Sequence, residues 1–512
     1  MIELNDQVTQ NRKVLERCPR GDVVSRAEAL YNLANSVHRR FLEANDTGDL
    51  DEAIVLSKSS VDLLPESHPD RHLALYLLAY CLRDRYIQQG TVFDLQKAIK
   101  FARTALGLCP HSRDRSLLLH YLALCLSNLY DKLGSIADLK EAIALGRAAL
   151  EVRPLDNSGR SATLYNLAVD LWRRFQNGGA NADLDEAISL HGLALDLHPE
   201  GHPDLSFSLH QLAVCLGDRY DKQGSIADLE QAIAFGRAAL ELRPPGHSDR
   251  AVALSNLAKG LSSRFLKLGA NADLDEAISL HRSVLDLCPE GHSNWSYSLH
   301  QLALCFRNRY DKQGSIADLD EAITLRRAAL KFRPPRQPGR AVTGLYDLAN
   351  DLRSRFLKHN VNADLDEAIS IHRSALDLCL RGHPYRRLSL RGLACDDQGF
   401  IANLEEAVTL NRAALELHTP DRSNCAISIG HSLRSRFLKV DGHPCWSDSL
   451  HALALCLSNR YDKQGLIADL EEAITLGRVS LELSPPNHSG RTVTLYNLAH
   501  DLRRRFLKIG AN

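Results

Sequence analysis

The segment Asp-Leu-Asp-Glu-Ala-Ile, or a close variant, begins at Asp49, Asp94, Asp138, Asp183, Asp228, Asp273, Asp318, Asp364, Asn403 and Asp469. Successive starts lie 45, 44, 45, 45, 45, 45, 46, 39 and 66 residues apart. Self-similarity at such a period constrains the fold strongly, because each repeat is one supersecondary unit that buries its apolar face only against its neighbours. A second layer doubles the period. Gly-Ser-Ile-Ala-Asp-Leu recurs around Asp138, Asp228 and Asp318, and Asn-Ala-Asp-Leu-Asp-Glu-Ala-Ile-Ser around Asp183, Asp273 and Asp364. The duplicated unit is therefore a pair of repeats, about 90 residues long.

Each unit reads as two helices. In the longer one, Leu209, Leu212, Ala213, Leu216 and Tyr220 form one apolar stripe on a 3.6-residue period. Gly224 follows, as Gly90, Gly134, Gly314 and Gly465 do elsewhere, placed to end the helix at positive φ. The shorter helix is expected to open on Asp228, its carboxylate accepting from the free N–H groups of the first turn, with Gln231 reaching back to complete a capping box. Leu229, Ala232, Ile233, Ala239 and Leu240 then line one face, and Pro244 ends it. The alanines are small enough to let two helices approach closely.

Ala322, a second small residue at Ala329 and then Pro334 resemble the second helix of a tetratricopeptide (TPR) repeat. The Leu-Ala pair of the longer helix, as in Leu302-Ala303, resembles the small-residue position of the first TPR helix. The resemblance covers essentially the whole chain and implies an all-α, TPR-like α-solenoid, a right-handed superhelix of antiparallel helix pairs. The period departs from the family's 34, standing near 45, and Arg326 replaces the usual aromatic of the second helix. HEAT-type repeats share the longer period, and the Ala-Ala-Pro pattern is what favours TPR. The phrases also resemble long arrays of fungal proteins that often precede a CHAT (caspase-like) protease domain, which is absent here.

The expected organisation is regular helix-pair repeats over 1–390, degenerate repeats with missing helix segments over 391–445, and further repeats over 446–512 that stop mid-repeat. Around Cys395 the long helix loses six residues against the 302–314 template, and after Lys439 a whole short helix is skipped.

Chemistry-bearing residues follow the repeat. Cys81, Cys125, Cys215, Cys305, Cys395 and Cys456 recur at one place and Cys18, Cys109, Cys288 and Cys379 at another, with no CxxC pair, so buried reduced thiols are expected rather than zinc ligands. His202, His247, His292, His383 and His443 recur in the loop before each long helix, which favours a loop-structure role over metal binding. Catalysis is not expected, because no non-repeat segment exists to hold a Cys/His dyad, and no glycine-rich phosphate loop or cofactor motif occurs. Arginine precedes an aromatic at Arg85-Tyr86, Arg174-Phe175, Arg219-Tyr220, Arg264-Phe265, Arg309-Tyr310 and Arg355-Phe356. Such a ladder could stack single strands, yet 62 basic against 63 acidic side chains supply no general attraction for nucleic acid or anionic lipid. The longest apolar run, Leu73 to Leu82, is about half a membrane span, and the absence of a signal-like segment after Met1 places the chain in the cytoplasm by expectation.

On a helical projection Gln211, Val214 and Asp218 lie opposite the apolar stripe, as do Asn256, Lys259, Ser263 and Gln301, Leu304, Asn308. In TPR proteins the first helix of each pair lines a concave groove, so the resemblance implies that these nine residues meet a protein or peptide partner. The alternative it implies is a sensor array governing a CHAT-type protease whose catalytic domain lies elsewhere. No metal, membrane or nucleic-acid partner is expected.

Overall fold

The computed structural model describes residues 2–19, 21–109, 114–152, 159–197, 202, 204–290, 292–331, 338–359, 362–378, 445–483 and 491–509. Apart from Cys445, the stretch expected to be degenerate lies outside them. Among the described residues every regular element is a helix. Contacts divide the chain into two units, 1–253 and 254–512.

The first unit starts with a lone helix, Ile2–Arg17. First helices Val23–Ala44, Arg71–Gln89, Arg115–Leu133, Arg160–Gln176 and Leu205–Gln223 then alternate with second helices Thr47–Leu63, Val92–Gly107, Ile136–Val152, Asn181–Asp196 and Ile226–Glu241. Helix Arg250–Leu268 runs across the division. The second unit continues with second helices Asn271–Leu287, Ile316–Lys331, Asn362–Leu378 and Ile467–Leu483, and first helices Ser293–Gln313, Pro338–His359, Cys445–Gln464 and Arg491–Ile509. Packing is most extensive between a first helix and the second helix directly after it, as in Leu205–Gln223 with Ile226–Glu241, and next between a second helix and the following first helix, as in Asn271–Leu287 with Ser293–Gln313. The solenoid of helix pairs is as the periodicity requires.

Burial explains the recurring residues. The Leu-Ala pair is buried from Leu33-Ala34 through Leu302-Ala303 to Leu453-Ala454, while Leu498 is half-buried and Ala499 exposed. The leading alanine of the second helix is buried too, at Ala53, Ala98, Ala142, Ala187, Ala277, Ala322 and Ala368. A side chain no larger than a methyl group there lets the paired helices meet closely. Between the helices Gly224 takes φ 72° and donates its N–H to the Tyr220 carbonyl at 2.8 Å, a left-handed conformation that costs a residue with a Cβ more than glycine.

One local expectation is wrong. The second helix does not open on Asp228. It begins at Ile226 with Ser225 as its cap, whose hydroxyl accepts from the Asp228 N–H at 3.4 Å. At Ala180 and Ala270 the cap has no side chain that could accept. The Asp228 carboxylate sits inside the first turn, buried, and turns away from the backbone to an arginine.

Candidate functional site

That arginine is Arg219, on the first helix of the same repeat. Its Nε and Nη2 donate to the two oxygens of Asp228 at 2.8 and 2.7 Å. The same fork joins Arg40 to Asp49, Arg85 to Asp94, Arg174 to Asp183, Arg264 to Asp273, Arg309 to Asp318, Arg355 to Asp364 and Arg460 to Asp469. Planar guanidinium and carboxylate match two bonds at once, which makes this the strong form of ion pair. Nη1 then reaches back to the other aspartate of the preceding repeat's Asp-Leu-Asp. Arg85 meets Asp51 at 3.2 Å, Arg219 meets Asp185 at 3.1 Å, and Arg355 meets Asp320 at 2.8 Å. Both aspartates of the motif are thus spent on arginine, one within the repeat and one across the junction.

The forks predict an asymmetry between ion pairs. Replacing Arg219 by Leu strands a buried carboxylate and should cost on the order of 2 kcal/mol. The second helices also pair Arg103 with Glu141 and Arg147 with Glu186 across repeats, but in the open. Replacing Arg103 by Leu should cost less than about 1 kcal/mol. Urea midpoints of the two variants check this, and equal losses would remove the distinction. The chain carries its own precedent: Leu129 stands where the arginine would be, and there Asp138 is half-buried rather than buried.

A second polar seam joins successive first helices. Ser127 donates to Asp170 at 2.6 Å, and Arg173 bonds Ser127, Asp170 and Asp131. Ser458, Asp501, Arg504 and Asp462 repeat that cluster in the second unit. Burial nevertheless pushes the Asp170 carboxyl up to about 6. Between helices 293–313 and 338–359 the same cluster appears with two members exchanged. Arginine now stands on the earlier helix and serine on the later: Arg307 bonds Asp311 at 2.9 Å, Asp351 at 2.8 Å and Ser354 at 2.9 Å.

Here Arg326 adds a further charge. It occupies the second-helix position held elsewhere by Ser57, Ala102, Gly146, Gly236 and Gly477. Only 3% exposed, it donates to Asp351 at 2.6 Å and to Asp347 at 2.9 Å. Above it opens a cleft of about 390 Å³, walled by Arg307, Asn308, Asp347 and Ser354 and edged by Leu304 and Leu357.

The nine residues picked from the helical projection are all half-buried, none of them an exposed ridge. Asp218 accepts from Trp172 at 2.8 Å and from Gln176 at 2.6 Å, and Gln211 bonds the Tyr165 hydroxyl, so both help to stack repeats. Leu304 and Asn308 line the cleft. Gln301 shares their helix; Val214, Asn256, Lys259 and Ser263 take the matching places on two others. The projection missed Arg307, Arg326, Asp347 and Asp351.

At the Arg326 position three other repeats carry His191, His281 and His372, all fully buried. Neither ring nitrogen of His191 or His281 meets a hydrogen-bond partner, and burial pushes all three imidazoles down to about 4. The loop histidines have structural work: His202 and His247 accept through Nδ1 from the backbone N–H two residues on. Cys81, Cys125, Cys215, Cys305 and Cys456 are buried free thiols, and burial pushes that of Cys125 up to about 12. Among the described residues no cluster of His, Cys, Asp or Glu could hold a metal ion, and no helix is long and apolar enough to cross a membrane.

Residues 295–336, which span the helix pair carrying Arg307 and Arg326, match the family model for the tetratricopeptide repeat. The chain is a tetratricopeptide-like repeat array. No curated protein matches it in sequence. Among solved structures the array is similar to human IFIT1, solved as a dimer with PPP-AAAA, at 15% identity and TM-score 0.41, covering 98% of this chain and 94% of that one. It is also similar to BtubC from P. vanneervenii, at 22% identity and TM-score 0.34 over 48% of this chain and 94% of that one. A third similar structure is YrrB, described as a TPR protein with an unusual peptide-binding site, at 20% identity and TM-score 0.27 over 41% of the array and 90% of YrrB.

Proposed function

We propose that the chain is a scaffold that holds a protein or peptide partner along the face of its first helices, the concave side of a TPR array. The supporting observation is a contrast between positions within the repeat. Places that build the stack mostly keep their residue: Leu-Ala, the fork arginine (lost only at Leu129 among the described repeats) and the first aspartate of the motif. The place occupied by Val214 varies in kind along the chain, through Asn35, Tyr80, Leu124, Val169, Lys259, Leu304, Asn350 and Leu455. A face that mixes polar, aromatic, aliphatic and basic residues offers a partner a varied sequence of contacts on a more uniform frame. Gln211, Val214, Asp218, Asn256, Lys259, Ser263, Gln301, Leu304 and Asn308 belong to that face. A polypeptide suits it better than nucleic acid, because the arginines of the basic-aromatic ladder already hold carboxylates and the overall charge is balanced.

Photo-crosslinking tests this. Benzoylphenylalanine at Leu304 should capture protein adducts in cells, and the same group at the exposed Arg327 on a second helix should not. Equal capture at both positions, or adducts made only of nucleic acid, would sink the reading. The alternative of a sensor array for a CHAT-type protease rests on the sequence resemblance, and the described residues add nothing in its favour.

A further inference from the structure

The cleft over Arg326 differs from the other junctions in what it leaves unspent. Most of its charged groups are matched inside the wall, Arg326 with Asp347 and Asp351 and Arg307 with Asp311 and Asp351, and Arg353 also lines it. A ligand charge set against Arg307 or Arg326 would have to break one of those pairs. The matched groups also hold the walls in place before anything binds, which lowers the ordering cost of binding.

Asn308 is the exception, for its Nδ2 is buried in the wall with no acceptor. One pair of repeats earlier, Asp218 holds the same place and is occupied by Trp172 and Gln176. The residues that stand in those two places before Asn308 are Ser262 and Leu266. Ser262 lies with Cys305 at 3.3 Å, and leucine has nothing to offer an amide. An asparagine's χ2 is a broad torsion, so a modest rotation turns the N–H into the cleft. Beside it stand Leu304 and Leu357, the latter 70% exposed. A volume of about 390 Å³ is at the small end for a ligand site, too small for a folded surface and suited to a short stretch of chain.

We propose that this cleft is the anchoring subsite for an uncharged peptide segment, which sets one apolar side chain against Leu304 and Leu357 and accepts a hydrogen bond from Asn308 through a main-chain carbonyl. The inference rests on the scaffold reading above. Arg326 acts here as a positioning residue, fixing Asp347 and Asp351 and through Asp351 the Arg307 wall.

The test uses the full chain and blocked tetrapeptides, Ac-Gly-Xaa-Gly-Gly-NH2 with Leu, Glu or Lys at Xaa, observed by ligand-detected NMR. The leucine peptide should bind and the glutamate and lysine peptides bind more weakly. Leu304→Asp and Asn308→Ala, both on an unchanged helical circular-dichroism spectrum, should each weaken the leucine peptide about tenfold. Preference for a charged peptide, or leucine binding indifferent to both substitutions, overturns the proposal. If no tetrapeptide binds while crosslinking at Leu304 still captures protein, the subsite falls and the scaffold reading stands. If the tetrapeptide binds but crosslinking captures nothing, the scaffold reading is the one in error.

Discussion

Lowering the pH from 7 to 5 should destabilise the folded chain by roughly 6 kcal/mol through His191, His281 and His372 together, about 2 kcal/mol from each. An unfolded imidazole takes its proton near pH 6.5, whereas burial holds these three near 4. Between those values the unfolded chain binds more protons than the folded one, so stability is present above pH 6.5 and drains away as the pH falls towards 4. Asp170 works in the opposite direction. Its raised carboxyl takes a proton in the folded state first and returns about 1 kcal/mol over the same interval. Thermal midpoints at a series of pH values measure the sum. Substituting all three histidines with alanine, the residue at position 102 in a sister repeat, should flatten the profile by more than half. A variant with the wild-type slope would show that the imidazoles titrate normally and that the buried placement is wrong.

The second large effect concerns the exchanged cluster. Arg307→Ser leaves Asp351 buried with Arg326 as its remaining guanidinium and takes from Asp311 the bond that Arg307 made. Breaking a buried pair in this way typically costs about 3–5 kcal/mol. Adding Ser354→Arg rebuilds the arrangement that Arg173 and Arg504 adopt in two other places, serine on the earlier helix and arginine on the later. The double variant should regain most of the loss, while Ser354→Arg alone crowds two guanidinium groups and is itself unfavourable. Chemical denaturation of the four proteins gives the coupling energy directly. Additive losses would mean that the two clusters resemble each other without being interchangeable.

Much of the architecture was readable without coordinates, and the reasons are physical. Leu212, Ala213 and Leu216 share a stripe because the helix has one period, and Ala322 is small because its neighbour is near. Both facts are local in the chain. Asp228 misled because a carboxylate at a helix start serves equally well as a cap or as an arginine partner, and the residues around it do not separate the two. The discriminating signal was nine residues upstream, where an arginine recurs with the period of the aspartate and is replaced at Leu129. The face residues were harder. A projection places Asp218 on its own helix but carries no information on how close Trp172 of the previous repeat comes. Arg326 was noticed only as an absent aromatic; that it is buried depends on Asp347 and Asp351, whose approach is set by a helix outside its own.

The arginine that reaches both its own aspartate and the one before it gives the junctions at Arg85, Arg219, Arg309 and Arg355 one kind of clasp. A repeat of that kind arrives with a donor for its predecessor and leaves behind an acceptor for its successor, so this one contact does not depend on which such repeats are neighbours. A stretch copied or removed between two such junctions restores the clasp at the seam. Length can then vary freely in such a chain, while the varied face residues travel with their repeats and are shuffled as whole blocks. The paired repeats about 90 residues long look like the trace of that process, with Leu129 marking a junction that has since lost its clasp.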